Sequence, residues 1–156
     1  MFFVGYCESL VPDAVWPSLY CRFVDDCFAC LVNDQQSEQL LQVLNGIHPS
    51  LQFTCEHESD GRLPFMDVLV EKTDADEVVT SVYCKPTFTG LYIPWDSFCA
   101  GKHKTNLVKS LVRRAMRICS ESRLGQELDR LRSLFSQNGE SDRSGGETHR
   151  IGWQQT

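Results

Sequence analysis

Asp25 and Asp26 are the residues of this chain whose type and spacing point most directly to chemistry. They stand side by side in YCRFVDDCFACLV (20–32), between the apolar runs Tyr20 to Val24 and Cys27 to Val32. Two strand-like segments joined by two residues, here Asp25-Asp26, have β-hairpin spacing, although Asp-Asp is a weaker turn signal than Asn-Gly. One reading of the pair is a solvated turn. The other is a divalent cation, because adjacent carboxylates repel one another and hard oxygen donors on a tight turn suit Mg2+. Two Mg2+ ions held by carboxylates clamp the attacking and leaving oxygens of nucleotidyl transfer. Cys27 and Cys30 also spell CxxC, but no second CxxC completes a zinc site, and strand positions three apart face opposite ways.

The elements that must position these groups follow from periodicity. Residues 2–11 read as the end of a helix closed off before Pro12. The hairpin comes next, and then Leu40, Leu41, Leu44 and Ile47 fall at helical spacing within 36–47, before Pro49. LQFTCEHE (51–58) alternates like a strand, LPFMDVLVE (63–71) is apolar with a polar break at Asp67, and VVTSVYCK (78–85) is a further strand. After Pro86 comes a long aromatic connection, PTFTGLYIPWDSFCAGKHK. Two helices follow it. In 104–119, Leu107, Leu111, Ala115 and Ile118 make one face, and Lys109, Arg113 and Arg117 recur every four residues on another. In 123–135, Leu124, Leu128, Leu131 and Phe135 form the apolar stripe. From Asn138 the chain is polar, Gly/Ser-rich and without period, the composition of a disordered tail. The order of elements is α+β, not a doubly wound sheet.

With 156 residues and 42% hydrophobic content, the chain is one ordinary domain or a piece of a larger one. A net charge of −6 speaks against nucleic acid until it is divided along the chain. Residues 1–100 hold 4 Lys/Arg against 15 Asp/Glu, a net of −11, while residues 101–135 hold 9 against 3, a net of +6. A basic segment beside an acidic one suits a phosphate-contacting element next to a metal site, and equally a solvated helix face. No apolar run reaches membrane-span length, and MFFVGYCESLV lacks a basic leader and carries Glu8. The 8 cysteines lie mostly inside apolar runs. That placement fits reduced, intracellular thiols, with no secretion and no disulfide-linked partner.

Taken in order, VGYCESL, YCRFVDD, LNGIHPSLQFTCE, LPFMDVLVEK, TSVYCKPTFTG and KHKTNLVKSLVRRAMRICS carry a resemblance. YCRFVDDCFA is similar to the Tyr-x-Asp-Asp hairpin of reverse transcriptases, in the form with Val before the aspartates. The run from Val4 to Gly139 resembles the reverse transcriptases of Penelope-like retroelements. The resemblance implies a right-hand polymerase fragment, with the later palm over 1–85, the thumb (a loop and two helices) over 86–137, and a tail over 138–156. It implies that Asp25 and Asp26 bind Mg2+ and that Leu63, Pro64, Phe65 and Met66 form the primer grip. The cations Arg22, Lys85, Lys102, Lys104, Lys109, Arg113, Arg114 and Arg117 would then face nucleic acid. The partners implied are an RNA template on a DNA primer, with dNTP in the complete enzyme. The location implied is the nucleus.

Departures from the family pattern are visible. The family usually has Arg where Cys84 stands, so one phosphate contact is missing. His57 occupies a position where Lys is common, and it is a candidate proton donor to pyrophosphate. Arg22 either neutralises phosphate or pairs with a carboxylate. The other palm aspartate, the fingers and the nucleotide loop precede VGYCESL in the family, so the chain alone is expected not to polymerise. A non-catalytic remnant that binds through the basic helices is the alternative. Gly90-Leu91-Tyr92-Ile93 matches half of a GIY–YIG nuclease motif within the thumb connection and is read as no nuclease.

Overall fold

The computed structural model describes residues 2–139. They form two compact units, Met1–Met66 and Asp67–Thr156. Among the described residues the fold is α+β, with four helices and antiparallel strands. Residues 140–156, most of the expected tail, lie outside the described residues.

The first unit holds α1 (Phe2–Glu8), β1 (Leu19–Phe23), β2 (Asp26–Cys30), α2 (Asp34–Ile47) and β3 (Arg62–Phe65). α2 starts at Asn33, whose side chain accepts from the Gln36 amide at 2.9 Å, while the Gln36 side chain accepts from the Val32 amide at 2.9 Å. This reciprocal arrangement satisfies amides that a helix start leaves without partners. α2 then turns Leu40 and Leu44 inward against Val11, with Val15, Trp16, Leu31 and Phe53 packed around them.

Two local expectations are corrected in this unit. β1 and β2 pair antiparallel with Phe23 opposite Asp26, so the connection is Val24-Asp25 and Asp26 already belongs to the strand. Residues 51–58 alternate in sequence but join no strand. At Phe53 both backbone bonds go to a side chain instead. Asn45 of α2 donates to the Phe53 carbonyl at 3.1 Å and accepts from the Phe53 amide at 2.6 Å. One amide side chain thereby takes the place of a neighbouring strand.

The second unit holds β4 (Val68–Lys72), β5 (Val78–Val82), α3 (Gly101–Ile118) and α4 (Glu121–Gln137). Met66, which ends the first unit, has φ 55°. β4 and β5 pair antiparallel from Val68↔Val82 to Lys72↔Val78. Thr80 ties β5 to the helix pair. Its amide donates to Ser120 Oγ at 2.9 Å, its hydroxyl donates to the Ile118 carbonyl, and its carbonyl accepts from the Ser120 amide at 2.9 Å. The division by compactness thus groups β4 and β5 with the two helices, whereas the resemblance places its palm–thumb boundary at 85/86.

Candidate nucleic-acid interface and carboxylate hairpin

Asp25 and Asp26 are both exposed at the β1–β2 tip. Val24, beside them, holds φ 56°, a left-handed conformation unfavourable for a β-branched residue. Arg22 braces the tip from behind: Nε donates to Glu8 Oε1 at 2.5 Å and Nη1 to the Val24 carbonyl at 3.3 Å. Tyr20 donates to the same Glu8 oxygen at 2.9 Å and lies 3.0 Å from Cys27 Sγ. Burial, followed by the hydrogen bonds to Cys27 and Glu8, pushes the Tyr20 phenol well above its ordinary range. Of the two readings of Arg22, the structure gives pairing with a carboxylate.

Two carboxylates are only part of the donor set that a pair of Mg2+ ions takes. Among the described residues, no group of three or more His, Cys, Asp or Glu comes together as metal ligands. The hairpin by itself supplies two carboxylates of such a donor set. His57 is exposed and its Nδ1 lies 3.8 Å from an Asp34 oxygen. Leu63, Pro64 and Phe65 lie half-buried on β3, with the Phe65 ring centroid 5.6 Å from that of Phe28, and Met66 is exposed.

The basic residues divide by the face of α3 they occupy. Lys102, Lys109, Arg113 and Arg117 are exposed, and α3 contains no Asp or Glu. At 1.5 Å per residue, Lys102 to Arg117 is a stripe of roughly 22 Å. Arg113, Arg114 and Arg117 line a shallow cleft of about 330 Å3 with Ser110 and Ile118. Arg114 is half-buried and its Nε donates to Asp67 Oδ2 at 2.7 Å, so its charge is already paired. Lys85 is exposed in the segment that follows β5.

Lys104 belongs to a different environment. It is 8% exposed, and its ammonium donates to the carbonyls of Trp95 and Ser97 beneath the Trp95 ring. It fastens a loop and does not face solvent with the other cations. Its position was legible in the sequence, because 104, 107, 111 and 115 fall on one helical face.

α4 is nearly neutral on its exposed side, where Arg132 pairs with Asp129. On its buried side Glu127 accepts two bonds from Arg130, at 2.7 and 2.6 Å, and these bonds hold the Arg130 guanidinium above its ordinary range. Asn138, which sequence reasoning did not single out, ends α4 and reaches into the aromatic connection. Its side chain donates to the Gly90 carbonyl at 2.9 Å and accepts from the Tyr92 amide at 3.0 Å. Gly90 has φ 74°, and a Cβ there would lie 2.9 Å from Leu134 Cδ2.

A family model described as Animal helix-turn-helix domain matches residues 91–139, the segment made of the later part of the aromatic connection, α3 and α4. No curated protein and no solved structure matches the chain. Among the described residues, no helix is long and apolar enough to cross a membrane.

Proposed function

We propose that this chain is the Asp-Asp hairpin, primer-grip and thumb portion of a reverse transcriptase like those of Penelope-like retroelements. Its own activity in this reading is to hold a template–primer duplex on α3. The observation that carries the reading is the exposed, acid-free row Lys102, Lys109, Arg113 and Arg117. The similarity of 91–139 to a helix-turn-helix family supports nucleic-acid contact by the same segment. In helix-turn-helix proteins the second helix usually enters the groove. Here the cations favour the first helix as the phosphate-contacting one, since α4 shows little net charge on its exposed side.

The second reading, a binding piece with no chemistry of its own, is favoured by the incomplete donor set at Asp25 and Asp26. One experiment addresses both. Binding of the full chain to a labelled RNA–DNA hybrid should weaken with a log–log salt slope of roughly −3 to −4 if four phosphates are neutralised. Arg113→Glu/Arg117→Glu should cut that slope by about 2. Absence of binding, or a slope untouched by the double substitution, would sink the reading of α3. Template-dependent primer extension by the purified chain would instead overturn the reading in which it only binds.

A further inference from the structure

The aromatic connection ahead of α3 contains no helix or strand over 90–98, yet it is fastened at both ends. Asn138 holds Gly90 and Tyr92 through its side chain and accepts from the Trp95 amide at 3.0 Å through its carbonyl. Lys104 holds the Trp95 and Ser97 carbonyls, and Ser97 Oγ donates to the Pro94 carbonyl at 2.7 Å. Inside the loop, Tyr92 packs between Phe88 and Phe135, with ring centroids 5.7 and 5.9 Å away. Outside it, Leu91 and Trp95 are 76% and 42% exposed and Phe98 is fully exposed. Fixing an irregular loop costs conformational entropy, and leaving Phe98 and most of Leu91 in water recovers little of it.

We infer that this loop is a stacking platform for unpaired bases of the nucleic acid whose phosphates follow α3; the inference rests on the reading of α3 given above. Charge decides the occupant. The cations that follow Phe98 on the exposed side of α3 are Lys102, Lys109, Arg113 and Arg117, with Asp96 the one acid in the loop. Phe98 lies within roughly 14 Å of Lys102 along the chain. A cationic row leading to exposed aromatic rings is the arrangement that binds single strands, with phosphates on the charges and bases on the rings. An apolar protein segment would find the aromatic rings but no use for four uncompensated cations.

The test compares a blunt RNA–DNA hybrid with the same hybrid carrying a short single-stranded overhang, each titrated with the full chain. The overhang should strengthen binding. Phe98→Ala should abolish that gain, about tenfold, and leave both the blunt affinity and the salt slope unchanged. Phe98→Trp should restore it. Because Phe98 is fully exposed, its loss removes no packed contact. Equal affinity of wild type and Phe98→Ala for the overhang substrate overturns the platform while leaving α3 as the duplex contact. Wild-type protein that binds neither substrate removes the reading of α3 instead. Loss of self-association in Phe98→Ala, with nucleic-acid binding unchanged, assigns the loop to a protein contact and also overturns the inference.

Discussion

Replacing Lys104 by Met separates a structural cation from a binding one. The ammonium makes two hydrogen bonds to carbonyls and lies 5.8 Å from the Trp95 ring centroid. Bonds to a charged donor contribute roughly 1.5–3 kcal/mol each, and the cation–π contact adds about 1 kcal/mol. Against this stands the desolvation of an ammonium, several kcal/mol, which Met avoids while keeping much of the stem's packing. The Trp95 and Ser97 carbonyls sit in a surface loop and regain water when the donor is lost. The net destabilisation should therefore be about 1–2 kcal/mol. Urea unfolding should show a lower midpoint at unchanged slope, and the Trp95 and Ser97 amides should exchange faster in the native state. Arg113→Met, on the exposed face, should stay within about 0.5 kcal/mol of wild type. A Lys104→Met protein that is at least as stable as wild type, with unchanged loop exchange, would refute the idea that Lys104 fastens the loop.

Two further outcomes follow from burial and backbone geometry. Gly90→Ala should cost about 2 kcal/mol or more in urea unfolding, combining a left-handed backbone with a contact to Leu134 that has no room. Gly125→Ala, within α4 and with nothing near its added methyl, should stabilise by up to about 1 kcal/mol. On the alkaline side, burial raises the Cys119 thiol above its ordinary 9.0 and the Tyr20 and Tyr92 phenols above their ordinary 10.0. The folded state then binds more protons than the unfolded one, so stability should be full below pH 9 and fall as pH rises beyond it. Unfolding under reducing conditions at pH 8, 9 and 10 checks the sign, and a constant midpoint would contradict it.

The helices were legible because their apolar residues repeat every three or four positions, and the structure extends α2, α3 and α4 only slightly at their ends. The exposed cations Lys109, Arg113 and Arg117 came from the same periodicity. Lys104 shows where a list of basic residues misleads, since its spacing from Leu107, Leu111 and Ala115 already placed it on the inner face. The β1–β2 hairpin was visible as two apolar runs, but its turn was misplaced by one residue. Asp-Asp looks like the polar connection, whereas the pairing of Phe23 with Asp26 puts Val24 in the turn. Residues 51–58 alternate like a strand, and nothing local reveals that Asn45 takes the strand partner's role. The fastening by Asn138 was invisible because it links positions 46 and 48 residues apart.

The bonds between Thr80 and the α3–α4 turn have a mechanical consequence. Three backbone and hydroxyl bonds clamp the elbow of the helix pair to β5, and β5 is laced to β4 along its whole length. In the proposed reading, a polyanion held by Arg113 and Arg117, within the last turns of α3, would apply its load close to that clamp, so the lever arm would be short. In that reading these bonds would pass a displacement of α3 on to β5. Thr80→Val would remove one bond of this clamp, that to the Ile118 carbonyl, while the two backbone bonds to Ser120 and every charged residue stay in place.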